Sequence, residues 1–591
     1  MRPDLTRTRD SRTLMKVALG EEKADLVVIN ARLANVYTGE WVDNLSIAVK
    51  GEWIAYVGAD ATHCIDADTR VIDAAGKPVV PGLIDGHTHL VWLFSVAEFL
   101  PFAMAGGTTT VVTETLEAYP VAGLEGVADF LDSLKDQPIK IFATAPAMVS
   151  ISSKTMGMPP GDLNALLDRE EILGLGESYW QGVLQQPEKM LPAMDRVLSA
   201  GKCLEGHSAG ASEKKLNAYL CTGITSCHEP ITDEEVLTRL RLGLHVMVRE
   251  GSIRRDLETI ARIRHRGIDC RRLILATDGV DPVDLMEKGN LEYVLQKAMD
   301  YGFEPITAIQ MATLNVAEHF GLDPVLGGIA PGRFADVLIW PDERTATPKM
   351  VISNGRIVAE NGTACISPRP HEFRDKSRAT IRLKGDLFPE DFALRPATDR
   401  PEIGVRVIDM VTDLVTREVH LTLPAVDGRV RTDPAADIIK VAAIDRTHTP
   451  GKTFTGLLRG FGLRRGAMAA SCAWDTSDII VAGADEKDMA ACVNRIRSLQ
   501  GGMVVCADGH VIAEIPLPVF GIVSMAPMAE LAAKSKELTA AAAGLGCEFP
   551  NPFLSLITLT GAAIPFFRIC EEGLVDFRRP GAQGLWLEKK N

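Results

Sequence analysis

The sequence contains no stretch of about 20 uninterrupted apolar residues, which is the length that a helix needs to cross a membrane. The charged first residues, 1–12, are not followed by an apolar segment, so we predict neither a secretory signal nor a membrane partner. A long basic run is also missing, and 63 Lys and Arg face 78 Asp and Glu. Because proteins that bind a phosphate backbone usually carry a basic stripe, we expect no nucleic-acid partner.

The cysteines include no Cys-x-x-Cys pair, and their number, 11, is odd. They are spread over the whole chain, as is typical of reduced thiols that pack as small apolar side chains. We therefore expect a cytoplasmic protein. The remaining composition, with 46% hydrophobic and 24% charged residues, is that of an ordinary globular chain, and 591 residues are enough for several domains.

Two β-rich segments flank a long middle segment. Short apolar runs separated by Gly, Asp and Asn predict antiparallel strands at 26–29, 45–49 and 53–57, and similar runs return at 335–340 and 350–358. We interpret residues 24–80 and 323–372 as one composite β-sandwich.

The middle segment, residues 81–322, alternates short apolar strands with helical stretches such as 121–134 and 233–242. This α/β pattern has the size of a (β/α)₈ TIM barrel, in which catalytic groups stand at the carboxyl ends of the strands. Residues 373–591 again mix strand and helix patterns, and we predict an α+β domain there. The eight predicted barrel strands end at His87/His89, Val112, Pro146, Glu177, His207, His228, Arg249 and Asp278.

The first predicted barrel strand ends in His87-Thr88-His89. Residues two apart in a strand face the same side, so both imidazoles point into the mouth of the barrel. Two neutral imidazoles on a rigid strand suit a divalent transition metal. The preceding segment 79–86, Val-Val-Pro-Gly-Leu-Ile-Asp-Gly, fits a strand that enters the barrel.

Polar residues that can bind metal also end other strands. Glu177 follows an apolar strand, and a buried carboxylate there must be paired or bound to metal; in isolation it could equally be an exposed loop acid. His207 and His228 close successive strands, although either alone is more often a core or loop histidine. Asp278 could bind metal and accept a proton from bound water, or it could be the N-cap of a helix. The other histidines receive no role.

This set of motifs resembles the amidohydrolase superfamily and, within it, the adenine deaminases. The segment 327–337 (Gly-Gly-Ile-Ala-Pro-Gly-Arg-Phe-Ala-Asp-Val) resembles the return of such chains to their sandwich. Glu177 stands where many relatives have a carboxylated lysine. The segments 249–252 (Arg-Glu-Gly-Ser), 501–503 (Gly-Gly-Met) and 515–518 (Ile-Pro-Leu-Pro) also fit the adenine deaminases. The resemblance covers the chain from about residue 24 onward.

The resemblance implies a binuclear centre of manganese or iron, with zinc possible, in a homo-oligomer that acts on a small molecule. A metal-bound hydroxide would attack C6 of adenine, and Asp278 would pass the proton to the departing ammonia, with Glu177 and His228 as further catalytic residues. Arg249, Ser252 and Trp92 are expected to bind substrate, and Trp180 and Trp474 could either stack on a flat ring or serve in packing. The implied metal ligands are His87, His89, Glu177, His207, His228 and Asp278.

Three segments depart from the family pattern. Leu90-Val91-Trp92-Leu93 follows the histidine pair instead of Ile-Glu-Ser-Ser. Where the family has Asp-Pro-His-Glu, this chain has Thr113-Glu114-Thr115-Leu116-Glu117. Where the family has His-Asp-Ser-His-Asn, it has Trp474-Asp475-Thr476-Ser477-Asp478. Since all metal ligands remain, we predict a changed substrate rather than a lost activity.

Three functions therefore remain open on the sequence. Adenine deamination is the leading hypothesis, and hydrolysis of another C–N substrate, such as a substituted purine or a cyclic amide, is the alternative. A non-catalytic barrel with a structural metal is disfavoured, because structural sites are usually closed and rich in cysteine. The zinc nucleobase deaminases of a different fold need H-x-E and P-C-x-x-C, and neither motif occurs.

Overall fold

The computed structural model describes residues 5–6, 8–564, 566–579 and 581–587. Within these ranges, no helix is both long and apolar enough to span a bilayer. All 11 cysteines lie in this part of the chain, and each is a free thiol.

The N-terminal segment is a helix followed by strands. Helix α1 (Ser11–Leu19) begins where the Asp10 carboxylate accepts hydrogen bonds from the next backbone N–H groups, and it ends at Gly20, whose φ of 78° suits glycine. The strands are β1 (Leu26–Asn35), β2 (Glu40–Lys50), β3 (Trp53–Gly58), β4 (Arg70–Asp73) and β5 (Pro78–Pro81).

The middle segment alternates parallel strands and helices. Its strands are β6 (Leu83–Thr88), β7 (Thr108–Thr113), β8 (Lys140–Ala145), β9 (Ile172–Tyr179), β10 (Cys203–His207), β11 (Ser226–Cys227), β12 (His245–Arg249) and β13 (Leu273–Ala276). Its helices are α2 (Val96–Ala105), α3 (Tyr119–Ser133), α4 (Pro160–Leu167), α5 (Trp180–Gln185), α6 (Pro187–Ser199), α7 (Glu213–Leu220), α8 (Asp233–Arg241), α9 (Leu257–Ile260), α10 (Pro282–Glu287), α11 (Leu291–Asp300), α12 (Pro305–Met311) and α13 (Leu314–Phe320).

These strands close into a barrel. Strands β6 to β10 pair in sequence order, as do β11 to β13. The two groups meet at one seam where the backbone N–H of Asp278 donates to the carbonyl of His87 (3.0 Å), and at another where Thr225 donates to Leu204 (3.0 Å). The strands are apolar and buried, for example throughout β13, as expected for strands covered on both sides. The predicted (β/α)₈ barrel is confirmed.

After the barrel the chain returns to the N-terminal sheet through β14 (Val337–Ile339), β15 (Met350–Ser353), β16 (Arg356–Glu360) and β17 (Thr363–Ala364). The run 350–358 is a hairpin, because Asn354 and Gly355 have φ values of 50° and 71° and form a tight turn. All nine strands belong to one sheet with the order β17-β16-β15-β14-β5-β1-β2-β3, and β4 pairs with β1.

One edge of this sheet, β3, lies against the segment that precedes β14. The N–H of Ile54 in β3 donates to the carbonyl of Arg333 (2.9 Å), and the N–H of Gly332 donates back to Ile54 (2.8 Å). Side chains from β1, β3 and β15 therefore share one core, in which Val28, Ile54 and Ile352 are fully buried. The two segments that the sequence predicts as a sandwich thus contribute strands to one sheet.

The C-terminal segment mixes strands and helices. Its elements are α14 (Asp375–Arg378), β18 (Glu402–Met410), β19 (Thr416–Val426), β20 (Arg429–Val430), β21 (Ile438–Asp445), β22 (Thr453–Arg459), β23 (Ala467–Ala470), β24 (Asp478–Gly483), α15 (Glu486–Leu499), β25 (Gly502–Ala507), β26 (His510–Pro516), α16 (Met528–Gly544), α17 (Pro552–Ile557), β27 (Phe567–Cys570), β28 (Gly573–Asp576) and β29 (Ala582–Gln583). Short 3₁₀ helices lie at Thr62–Cys64, Ala261–Arg266, Pro389–Phe392, Pro434–Ala436 and Thr558–Thr560. Strands β18 to β26 form one nine-stranded sheet, and β27 to β29 form a second, smaller sheet.

The C-terminal segment packs on the carboxyl end of the barrel. Leu93, which follows β6, donates its N–H to the carbonyl of Ile522 (3.2 Å) and accepts from the N–H of Ser524 (2.8 Å). The hydroxyl of Thr155, which follows β8, donates to the carbonyl of Asp475 (2.8 Å). The mouth of the barrel is therefore enclosed between the two parts of the chain.

Candidate metal centre

The carboxyl end of β6 carries the histidine pair. Nε2 of His87 and Nε2 of His89 each lie 3.3 Å from Oε1 of Glu177. The same two nitrogens lie 3.5 Å and 3.3 Å from Oδ1 of Asp278. The alternation of side chains along β6 thus turns both imidazoles toward the same two carboxylates.

Glu177 lies inside β9, two residues before the end of the strand. Its Oε1 is also 3.3 Å from Nε2 of His228, so a single oxygen faces three imidazoles. Burial by itself would raise the pKa of Glu177, but the three imidazoles outweigh it and hold the pKa well below its usual range. The carboxylate is therefore anionic and able to bind a cation.

Four of the predicted ligands form one compact group. Ligand atoms of His87, Glu177, His228 and Asp278 all lie within 4.8 Å of one another, and all four side chains are buried. Within the described residues, Nε2 of His87 is a buried nitrogen without a hydrogen-bond partner of good geometry. Buried imidazole nitrogens and carboxylate oxygens are a donor set that fits a divalent transition metal.

A second group shares His228 and includes a residue that the sequence analysis missed. Oε1 of Glu229 lies 2.9 Å from Nε2 of His207 and 3.3 Å from Nε2 of His228, and these three residues again satisfy the 4.8 Å spacing. The predicted ligand His207 is therefore connected to the centre through Glu229. The sequence signal that could have identified Glu229 as a candidate ligand was its position directly after His228, at the end of a barrel strand.

Arg249, at the end of β12, lies among carboxylates. Its Nη1 donates to Oε1 of Glu229 (2.6 Å) and to Oδ2 of Asp278 (3.2 Å), and its Nη2 donates to Oδ2 of Asp256 (2.9 Å). Burial favours protonation of Glu229, but the nearby guanidinium and the imidazole of His207 outweigh it and lower the pKa of that carboxyl. Arg249 was predicted to bind substrate; it borders the cavity, and its guanidinium donates to these acids.

Asp278 adopts an uncommon backbone conformation. Its φ is 64°, which non-glycine residues rarely adopt and which is enriched at functional sites. Burial raises the pKa of its carboxyl, but His87, His89 and Arg249 outweigh burial and lower it well below the usual range. The side chain therefore reaches the histidine pair as an anion.

A cavity of about 260 Å³ opens beside these residues. His89, Glu177 and Asp278 lie on one side, and the opposite side comes from the C-terminal segment. That opposite wall is apolar and consists of Leu414, Val415, Trp474, Ala563 and Ile564. The C-terminal segment thus completes the site that the barrel begins.

Two of the residues predicted to bind substrate border a different cavity. Trp92 and Ser252 line an adjacent space of about 670 Å³. The hydroxyl of Ser252 donates to Asp284 (2.8 Å) and accepts from the N–H of Asp281 (2.8 Å). Trp180, which could have stacked on a ring, donates its indole N–H to Ala209. Trp474 is the tryptophan that faces the metal-site cavity, with its ring centroid 6.4 Å from that of His89.

Comparison with known proteins gives matches over both halves of the chain. The amidohydrolase family model matches residues 79–358, and the model of the adenine deaminase C-terminal domain matches residues 413–580. An adenine deaminase of Clostridium botulinum is 35% identical over 588 residues, covering 98% of each chain. An adenine deaminase of Moorella thermoacetica is 35% identical over 575 residues, covering 96% of each chain.

Among solved structures, molinate hydrolase is 20% identical, with a TM-score of 0.45, and covers 57% of this chain and 95% of its own. The identity to the curated relatives extends from the N-terminal sheet through the barrel and the C-terminal segment. This metal-dependent hydrolase therefore belongs to the adenine deaminase family of the amidohydrolases, as the resemblance of its motifs predicted.

Proposed function

We propose that the protein hydrolyses adenine to hypoxanthine and ammonia. In this reaction the bond between C6 and the exocyclic nitrogen breaks, and a new bond joins C6 to the oxygen of water. The observation that supports it most strongly is the buried group His87, Glu177, His228 and Asp278 at the mouth of the barrel, in a chain so similar to adenine deaminases.

We propose a binuclear centre of manganese or iron, with zinc as a further candidate. The residues that would hold it are His87, His89, Glu177, His207, His228 and Asp278, to which we add Glu229. Bound divalent ions would act as Lewis acids toward water and substrate.

Side chains of the protein carry out the proton transfers and position the reacting groups. Oδ1 of Asp278 takes the proton of the attacking water and delivers it to the departing nitrogen, while Oδ2 stays paired with Arg249. Glu177 faces three imidazoles and holds these histidines in position, and His228 belongs to both groups of ligands. The apolar wall excludes bulk water from the reacting atoms.

A second candidate substrate is a purine with an apolar substituent, and one observation favours it. The wall opposite the metal-binding side chains is aliphatic and aromatic, and within the described residues it offers few groups that could hydrogen-bond the ring nitrogens of adenine. An apolar wall stabilises an apolar substituent by burial, so such a substrate would gain affinity that adenine lacks.

The decisive experiment measures ammonia and hypoxanthine formation from adenine by protein reconstituted with Mn²⁺, with the metal content determined on the same sample. Asp278→Asn loaded with metal in the same way serves as the matched control. Rapid release by the wild type alone supports adenine deamination. A fully metallated protein that ignores adenine but hydrolyses substituted purines would support the second candidate instead.

A further inference from the structure

The nitrogens of His87 and His89 that point away from the proposed metal centre face two glutamates. Both glutamates, Glu114 and Glu117, lie in the segment that follows β7, and each is 1% exposed. In the sequence this segment is one of the three that depart from the family pattern, and neither glutamate was assigned a role. Their position suggests another function.

Each glutamate stands against one histidine. Oε1 of Glu117 is in close hydrogen-bonding contact with Nδ1 of His89, while Oε1 of Glu114 lies 3.6 Å from Nδ1 of His87. On both imidazoles the other nitrogen, Nε2, faces Glu177 and Asp278. Each ring is therefore held between an outer carboxylate and the proposed metal centre.

The segment that carries the glutamates is fixed to the strand that carries the histidines. The N–H of Glu114 donates to the carbonyl of Thr88, which lies between the two histidines (2.9 Å). Its Oε2 accepts a hydrogen bond from the hydroxyl of Thr144 in β8 (2.8 Å). The hydroxyl of Thr115 donates to the carbonyl of the same threonine (2.7 Å). The first and third bonds fix the backbone of the segment, and the second fixes the carboxylate of Glu114.

We propose that Glu117 and Glu114 are positioning residues that orient His89 and His87 for metal binding. The carboxylate of Glu117 accepts the N–H of Nδ1 of His89, which selects the tautomer whose Nε2 lone pair is free to bind a cation and increases the basicity of the ring. Glu114 lies 3.6 Å from Nδ1 of His87, beyond hydrogen-bond distance, and acts on that ring more weakly. Glu117, which makes the direct contact, has the larger effect, and Glu114 the smaller one. The inference rests on the proposed metal centre.

The test is Mn²⁺ binding rather than activity, measured by the EPR signal of free Mn²⁺ and by metal analysis after dialysis. Removing such an outer partner costs about 10- to 100-fold in metal affinity. We expect Glu117→Ala to lose affinity in this range. Glu117→Gln should lose less, because its amide oxygen still accepts the N–H but brings no charge, and Glu114→Gln should show a smaller loss than Glu117→Gln.

Glu292→Gln is the matched control, because Glu292 is a buried glutamate on α11 that accepts a hydrogen bond from the backbone N–H of Asn290. Its metal affinity should equal that of the wild type. The inference is overturned if Glu117→Gln and Glu117→Ala bind Mn²⁺ as tightly as a wild type that binds two ions. If the wild type itself binds no Mn²⁺, the proposed metal centre fails and the inference fails with it. Glu117→Gln conserves shape, so the comparison remains possible if Glu117→Ala does not fold.

Discussion

At the scale of single residues, Asp278 connects the separate parts of the site. One of its carboxylate oxygens faces the histidine pair, and the other accepts a hydrogen bond from Arg249. Its backbone N–H holds the carbonyl of His87 across the seam of the barrel. An asparagine at position 278 keeps the shape of the side chain but loses the carboxylate that acts as a base. The variant Asp278→Asn therefore separates the chemical role of this residue from its structural role.

His87→Ala and Asp278→Asn should abolish turnover while leaving the fold nearly intact. His87→Ala removes an imidazole nitrogen from the group of four, and Asp278→Asn removes the proposed proton acceptor. Losses of about 10²- to 10⁴-fold are typical when a general base is removed. Steady-state kinetics with far-UV circular dichroism on each variant provides the measurement, and wild-type activity in both variants would contradict the ligand assignment.

Trp474→His should raise the rate on adenine relative to a purine with an apolar substituent. The indole of Trp474 lines the metal-site cavity, and its buried Nε1 has no hydrogen-bond partner within the described residues. A histidine would make that wall smaller and more polar. The ratio of kcat/KM for the two substrates is the readout, and Trp92→His, which changes the adjacent cavity, is the control. An unchanged ratio would show that Trp474 does not determine specificity.

At the scale of secondary-structure elements, helix α11 carries a buried titratable group. Glu292 lies one residue after the start of the helix, and its Oε1 accepts the N–H of Asn290 (3.1 Å). Burial raises the pKa of its carboxyl to about 7. The helix therefore packs best against the barrel when this carboxyl is protonated.

The stability of the wild type should fall as the pH rises from about 4.5 to about 7 because of Glu292. Between these values the folded state keeps the proton and the unfolded state has lost it, so unfolding releases the proton and the contribution is about 1.4 kcal/mol per pH unit. Glu292→Gln lacks this dependence. The difference in Tm between variant and wild type, measured by calorimetry at pH 5 and pH 8, should shift in favour of the variant at pH 8. An equal difference at both pH values would contradict the assignment.

At the scale of the whole molecule, the contact between the barrel and the C-terminal segment determines which side chains line the site. The hydroxyl of Tyr179, at the end of β9, donates to Oδ1 of Asp475 (3.1 Å), and Oδ2 accepts the N–H of Ala562 (2.7 Å). Both bonds are buried; the first connects the barrel to the C-terminal segment over 296 residues of sequence, and the second fixes Asp475 within the C-terminal segment. They hold the apolar wall opposite the metal-binding side chains.

Asp475→Ala should lower the Tm and weaken catalysis, because it leaves two buried donors without acceptors. Such a loss costs about 1–3 kcal/mol for each unsatisfied group. Asp475→Asn keeps one oxygen that can accept the N–H of Ala562, and its NH₂ group can donate to the hydroxyl of Tyr179, so its Tm should lie between those of the wild type and Asp475→Ala. Lys536→Ala, which breaks an exposed pair with Glu287 across the same two parts, should change the Tm little, since exposed pairs contribute about 0–1 kcal/mol. Equal effects of all three variants would argue against a special role of Asp475.

Much of the architecture could be predicted because it depends on local periodicity. The apolar runs predicted the strands, and the ends of the two helices predicted at 121–134 and 233–242 differ by at most two residues from those of α3 and α8. The hairpin at Asn354 was missed, although Asn354-Gly355 interrupts the apolar run with the residue pair that is typical of a two-residue turn. The packing at the edge of the N-terminal sheet was also beyond prediction, because it depends on pairing between β3 and residues 332–333.

The sequence by itself determined the family, the barrel and the identity of the residues at the strand ends, because alternation along a strand decides which side chains share a face. Only the tertiary structure decided that Glu229, Glu114 and Glu117 face the histidines and that Ser252 and Trp92 border another cavity. It alone placed the apolar wall opposite Glu177. The physical reason is that these contacts join segments far apart in the chain, whose distances are set by packing of whole elements and not by any local pattern.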